Sequence, residues 1–302
     1  ARRNPGSPMA RSGESDILGP VVVPNSVLLV VPEDAVRLRL VSAVERAGYD
    51  CVGVASGEAA IDAFVQLWPQ VAEMAASRPI HLAVVGAGAA GVELAMAASH
   101  ALQGSGMPQG SHVSLVTGGE PPAASYPPAV QARVQRALRR LAVTVIPETC
   151  VGVEVGALLL ANGARLVCDA PVLAVGTQAP AWLSDSGLAL DEAGYLAVNA
   201  FQQSTSHPRV FAAGDVASRV DVPHARNGVH AVRAGVPLLA NLRAAMQAQP
   251  LKPYTPPPRT LNLLACGSRY AIGAWGPFSF EGRWVWHWKD RIDRAFVARY
   301  AT

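Results

Sequence analysis

The chain lacks paired cysteines. Its four, Cys51, Cys150, Cys168 and Cys266, stand far apart with no CxxC or CxxxxC spacing. That excludes a redox dithiol and reads as reduced, mostly buried thiols in a cytoplasmic setting. No run of about twenty residues stays apolar, because Gly, Pro or a charge interrupts each stretch, so no membrane-spanning helix is expected. Clustered basic charge is missing too: the net charge is +3 with 16% charged residues, and the Arg and Lys are scattered, so no nucleic-acid partner is expected. His, Cys and carboxylates do not gather at metal-binding spacing. His224 and His230 are too far apart for one helix face, and His287 sits among tryptophans, so no metal site is expected. No catalytic residue can be assigned from the sequence.

What is present is apolar and globular. Half of the 302 residues are hydrophobic, enough for a substantial core and about two domains. Residues 1–25 are rich in Arg, Pro, Gly and Ser without an apolar segment, and read as a disordered leader rather than a secretion signal. The first residue is Ala1, which leaves open an upstream part or a start at Met9.

Residues 26–77 read as an atypical α/β half-domain. Its parts are a strand at 27–31, a helix at 35–47 ended by Gly48, a strand at 51–55 and a second helix from Gly57. The unit resembles the first third of a response-regulator receiver, with Glu33 and Asp34 at the acidic pair. A third strand ending in a phosphorylatable Asp does not follow, so a half-domain is expected rather than a working receiver.

Next comes "IHLAVVGAGAAGVELAMAAS", residues 80–99. An apolar strand runs through Gly86, Gly88 and Gly91 into an alanine-rich helix, the order of parts that holds a dinucleotide pyrophosphate. Gly86 permits the tight turn, Gly88 lets the backbone approach the phosphates, and Gly91 lets helix and strand pack closely. The helix N-terminus adds free N–H groups and partial positive charge. A strand at 112–116, a helix at 128–141, a strand at 143–146 and a β meander turning on Asn162-Gly163 complete the unit, over residues 78–175. The second strand ends in Thr117-Gly118-Gly119-Glu120, where Glu120 is either a ribose ligand or a solvated loop acid. No Arg adjoins it to receive a 2′-phosphate, so NADH is weakly preferred over NADPH.

A second signal is "HPRVFAAGDVAS", residues 207–218, an apolar strand running into Gly214-Asp215. Alone it is either a ligand carboxylate or a turn with a helix cap. Together, "AVVGAGAAGVELA", "LAVGTQAP", "HPRVFAAGDVAS" and "NGVHAVRAGVPLLANL" resemble the FAD/NAD(P)-dependent pyridine nucleotide-disulfide oxidoreductase superfamily over residues 78–300. The tail from Leu261 looks most like the NADH-dehydrogenase-like flavoproteins, including those fused to selenophosphate synthase.

The resemblance implies an α/β fold with two Rossmann-like dinucleotide-binding domains. The motif at Gly86 is similar to the family's second fingerprint, which takes the nicotinamide cofactor, with Glu93 toward the nicotinamide. Gly176 lies on the strand returning to the FAD domain, whose C-terminal part would span residues 176–250. Gly214 and Asp215 match the ribityl contact, and Gly228 and Val229 the helix N-terminus facing the flavin. The implied cofactors are FAD and NAD(P)H, and the implied reaction is hydride transfer from NADH to flavin, then to a quinone or other small acceptor.

Where the first fingerprint should follow strand 27–31, the chain has Pro32-Glu33-Asp34-Ala35-Val36, with no glycine. An acidic pair there repels pyrophosphate, so the FAD half is atypical or incomplete. The competing expectation is therefore a catalytically impaired dinucleotide-binding or signalling module without a working FAD site. Residues 251–302 form a C-terminal cap or interface segment behind a proline-rich linker. In it Trp288, Ile292, Phe296 and Tyr300 make an aromatic-aliphatic stripe, expected to pack on the body or a second subunit in a homodimer, with peripheral membrane contact the alternative.

Overall fold

In the computed structural model, residues 26–30, 50–54, 68–104, 109–176 and 179–300 are described. The two helices expected at 35–47 and from Gly57 lie outside the described residues, apart from the helical stretch 68–77, here α1. The further elements of the first half are β1 (Ser26–Val30), β2 (Asp50–Val54), β3 (His81–Val85), α2 (Ala89–Leu102), β4 (His112–Val116), α3 (Pro128–Arg140) and β5 (Val143–Ile146). A meander follows of β6 (Cys150–Glu154), β7 (Ala157–Leu160) and β8 (Arg165–Val167), before the return strand β9 (Ala170–Leu173).

Six strands form one parallel sheet in the order β2-β1-β9-β3-β4-β5. The half-domain strands β1 and β2 therefore extend the dinucleotide-motif sheet through β9. Parallel strands carry helices on their faces, which is why β3 and β4 are near-continuous apolar runs buried at four of five positions. Val85 pairs with Val116 of β4 and Leu173 of β9, so these strands end level at their carboxyl ends, where the β3–α2 turn begins.

The main core joins this sheet to its helices: Ile80, Leu82 and Val84 meet Val92 and Met96 of α2, and Val134 and Leu138 of α3. Helix α3 begins with Pro128, whose missing N–H costs nothing in a first turn, and buries Val130, Val134, Ala137 and Leu138 at helical spacing. At the opposite edge of the sheet, the rings of His81 and His112 stack 3.9 Å apart. There Asp169 accepts hydrogen bonds from the His81 backbone N–H and from Arg78, both 2.7 Å.

The second half carries β10 (Leu196–Val198), β11 (Ala217–Arg219) and α4 (Gly228–Met246). The cap consists of β12 (Leu261–Ala265), β13 (Ala271–Trp275), β14 (Phe278–Gly282) and α5 (Arg283–Tyr300). Strands β10 and β11 are a parallel pair over a small core of Leu183, Leu196, Val198 and Ala212. The cap sheet is antiparallel and sits on α2 and α3. Glu281 of β14 pairs with Arg133 and Arg136, and the Ala265 N–H donates to Glu93 Oε1 at 2.7 Å.

The expected packing of the C-terminal stripe onto the body is not what the fold does. Val285 is buried, but Trp288, Ile292 and Phe296 are exposed. The Phe280, Trp284 and Trp288 rings stack on one another instead, with centroids 5.3 to 6.3 Å apart.

Candidate dinucleotide and flavin-side sites

Each glycine of the β3–α2 turn has its own steric task. A Cβ on Gly86 would lie 2.2 Å from the Ala174 carbonyl oxygen, and one on Gly91 would lie 1.8 Å from the Gly86 carbonyl oxygen. Gly86 also adopts φ +108°, left-handed backbone that favours glycine. A Cβ on Gly88 would meet nothing within 4 Å, and Gly88 is exposed. Two glycines thus permit close packing, while the third leaves an open approach to backbone.

That approach leads to the N-terminus of α2. Gly88 is its N-cap with no side-chain cap bond, and the first turn holds no acid. The first-turn N–H groups therefore carry partial positive charge, with no side-chain cap and no first-turn acid to offset it. The turn is held from below by Gly86 N–H to Val116 O at 2.8 Å and Ala174 N–H to Val85 O at 2.7 Å. This is the geometry of an anion-binding cradle.

The flanking residues are placed less simply. Glu120 is exposed, beyond Gly118 and Gly119, both with positive φ. At the end of β4 the structure instead buries Thr117, whose Oγ1 has no hydrogen-bond partner among the described residues; as the strand's last polar group it could have been singled out. Glu93 lies in the second turn of α2 and is engaged by the cap through Ala265. Burial raises its carboxyl above the ordinary range, opposed by the Ala265 N–H and Lys289. Gly176, with φ +83°, follows β9 as the chain leaves the sheet.

The second site lies between β11 and α4. Gly214 and Asp215 form a 3-10 turn, with Asp215 exposed in its first turn. Helix α4 opens at Gly228 and Val229 behind Asn227, whose Oδ1 accepts from the His230 N–H at 3.0 Å. The helix-like stretch expected at 224–235 therefore becomes helical only from Gly228. His224, outside the helix, folds back to stack on His230 with ring centroids 4.3 Å apart. The two do not share a helix face, since only His230 lies in the helix, yet their rings meet. Among the described residues, no group of three or more His, Cys, Asp or Glu is placed to hold a metal ion.

Gly214, Asp215, Asn227, His230, Gln202 and Tyr254 line a cavity of about 20 Å³. Gln202 and His230 are 2% and 7% exposed. Gln202 Oε1, His230 Nδ1 and the Tyr254 hydroxyl are buried without a hydrogen-bond partner among the described residues. Burial lowers the His230 pKa, and His224 and Arg233 lower it further. Arg219, buried beside the cavity, is held by Asp221 at 2.8 Å and by the Tyr254 carbonyl oxygen. Unpartnered acceptors and a hydroxyl around a small void call for a hydroxyl or a water.

The described cysteines are poor nucleophiles. Burial, aided by Asp169 and by Glu93 respectively, pushes the Cys168 and Cys266 thiols up to about 12, and burial raises Cys150.

A parallel sheet, a glycine turn at its carboxyl edge and a helix N-terminus left uncapped define a Rossmann-like dinucleotide-binding α/β protein. Residues 55–235, more than half of the chain, match the pyridine nucleotide-disulphide oxidoreductase family, and the chain belongs to it. No curated protein matches the chain. The fold is similar to reduced CoADR-RHD of Bacillus anthracis, with 20% identity and a TM-score of 0.52, over 66% of this chain and 34% of that one. It is also similar to the ferredoxin reductase for the CYP199A2 system of Rhodopseudomonas palustris, with 18% identity and a TM-score of 0.52, over 68% of this chain and 49% of that one. The chain thus spans about a third and about half of these two structures. No helix among the described residues is long and apolar enough to cross a membrane.

Proposed function

We propose that the protein works as an NAD(P)H-dependent flavin oxidoreductase of the NADH-dehydrogenase-like branch, the type also found fused to selenophosphate synthase, with NADH the preferred nucleotide. The observation that carries the reading is the division of labour in the glycine turn, where Gly86 and Gly91 admit no Cβ while Gly88 stands open before the α2 N-terminus. The backbone N–H groups there hold the nucleotide pyrophosphate, and no Arg at the end of β4 favours a 2′-phosphate.

The flavin side fits in part. The unpartnered Gln202, His230 and Tyr254 atoms beside Asp215 suit the hydroxyls of a ribityl chain, and the α4 N-terminus suits an electron-rich ring edge. The cavity of about 20 Å³ is too small for the ring system, which would have to lie outside it, toward exposed Gly228 and Asp215. When bound, FAD supplies hydride acceptance from NADH and delivery of two electrons to a quinone or other small acceptor. This chain's residues bind and orient; no dithiol takes part.

A second reading is a dinucleotide-binding or signalling module without flavin. The glycine-free acidic stretch Pro32-Glu33-Asp34 and the small cavity favour it. The C-terminal stripe of α5, exposed at Trp288, Ile292 and Phe296, suits a homodimer contact or the surface of a membrane at the cytoplasmic side.

The visible spectrum of the purified protein, with FAD added and NADH then introduced anaerobically, separates the two. A flavin band that bleaches supports the oxidoreductase. NADH binding by fluorescence with no retained flavin supports the module, and neither overturns both.

A further inference from the structure

Two histidines open neighbouring strands. His81 begins β3 and His112 begins β4, and the parallel register sets them side by side. Their rings stack 3.9 Å apart and within 19° of parallel. The bonds of His81 fix its state. Nδ1 lies 2.5 Å from the Val167 carbonyl oxygen, which can only accept, so Nδ1 carries the proton of the neutral ring. Nε2 is then left to accept from the Ser114 hydroxyl at 2.8 Å. Ser114 is 2% exposed, and its hydroxyl makes no other hydrogen bond among the described residues.

A neutral His81 thus ties three pieces together. Val167 ends β8, the three-residue edge strand of the meander, while Ser114 lies on β4 and His81 on β3. Through Leu158, Leu160 and Cys168 the meander covers the sheet face of Ala83, Val85 and Val116, which runs up to the Gly86 turn.

A proton on His81 undoes the arrangement. Nε2 becomes a donor, and the buried Ser114 hydroxyl loses its acceptor. Burial disfavours the charged ring and so does His112, while the Val167 carbonyl and Asp169 favour it. Asp169 is already engaged by Arg78 and by the His81 backbone N–H, both at 2.7 Å. Cys168 stays neutral, pushed up to about 12 by burial and by Asp169. Arg165 and Glu154, the charges of the meander, pair with each other at 2.9 Å in exposed positions. The balance holds the His81 pKa below the ordinary 6.5. A lowered folded pKa contributes stability that is complete above the unfolded value and is lost as pH falls toward the folded one.

We propose that the stacked pair His81 and His112 is a pH-sensitive latch: with neutral rings it clamps β8 to the sheet, and mild acid releases the meander while the helices of the sheet stay in place. The latch lies at the strand ends opposite the Gly86 turn and holds for either reading of the cofactor.

Hydrogen exchange of the full chain, read by mass spectrometry at about pH 7.5 and about pH 5 and corrected for the intrinsic rate, tests it. Residues 150–168 should lose about tenfold or more of their protection in acid, while α3 keeps its own. Histidine NMR should place the His81 midpoint below 6.5, and His112→Gln should raise it. His81→Gln offers a donor and an acceptor but takes no proton, so its meander should keep its protection at both pH values. Should that variant fail to fold, the His81 midpoint in the parent and in His112→Gln decides. Protection of residues 150–168 that does not change with pH, an equal loss in α3, or a His81 midpoint at or above 6.5 overturns the proposal. So does the parent's acid response persisting in His81→Gln, or a midpoint that His112→Gln leaves unmoved.

Discussion

The carbonyl oxygen of Gly86 stands 1.8 Å from the point a Cβ on Gly91 would occupy, so the turn and the helix it opens touch backbone to backbone. Gly91→Ala must therefore push α2 away from β3, and Gly86→Ala meets the Ala174 carbonyl as well as an unfavourable φ. Each should cost about 1–3 kcal/mol of stability, read as a lowered urea midpoint.

Gly88→Ala separates folding from binding. Open space surrounds that Cβ, so the thermal midpoint should stay near the parent's while NADH affinity falls about tenfold or more, because the methyl stands where phosphate approaches. Fluorescence titration with NADH and a melt on the same sample decide it. Equal losses in the two measurements would remove the distinction between packing glycines and the ligand-facing one.

Glu93 ties the Rossmann helix to the cap and does so at a cost that depends on pH. Burial raises its folded pKa above the ordinary value of 4.5, against the pull of the Ala265 N–H and Lys289. A raised folded pKa contributes stability that is complete below the unfolded value and is lost as pH rises through the folded value. Glu93→Gln keeps an acceptor for Ala265 and should flatten this loss, with a higher thermal midpoint than the parent at neutral pH. Glu93→Ala leaves the Ala265 N–H without its acceptor and should lower stability by about 1–3 kcal/mol. Melts from pH 4 to 8 test both directions.

The dinucleotide unit was legible because its signals are local. Alternation between apolar strands and helices, Gly86, Gly88 and Gly91, and the Asn162-Gly163 turn each act within a few residues, and β3 to β8 fall close to their expected places. The joining of β1 to β9 was not legible, since no local pattern says which strand a return strand will pair with. His224 and His230 were judged by helical spacing, yet only His230 lies in the helix, and the rings stack all the same. The stripe of α5 carried a packing signal, but apolar periodicity does not tell whether the covering surface belongs to the same chain. Gln202 and Tyr254 left no mark at all: a lone polar residue declares itself only once burial has removed its partners.

Asn241 is such a residue, with its partners kept. Its Nδ2 donates to the Phe201 and Lys252 carbonyls at 3.0 and 2.9 Å, and its Oδ1 accepts from the Lys252 N–H at 2.9 Å. One buried amide therefore fixes α4 to two separate loops. Asn241→Ala strands all three groups and should cost about 2–4 kcal/mol. Asn241→Leu keeps the volume but not the bonds and should rescue little. Hydrogen exchange at Lys252 should accelerate in both variants.

Asp215 offers the cleanest separation of cofactor from fold. It is exposed in a short 3-10 turn, and no hydrogen bond or ion pair from another described residue depends on its carboxylate. Removing it cannot open a cavity or strand a partner, so Asp215→Ala should leave the thermal midpoint of the apoprotein within about 0.5 kcal/mol of the parent. If the carboxylate accepts from a flavin hydroxyl, the loss of one charge-assisted hydrogen bond should weaken FAD retention about ten- to a hundredfold. NADH binding at the glycine turn should be unchanged, since that site is built from β3, β4 and α2. Equilibrium dialysis with FAD, run beside NADH fluorescence on the same variant, distinguishes a carboxylate that holds cofactor from one that is only solvated: in the second case both affinities stay at the parent value.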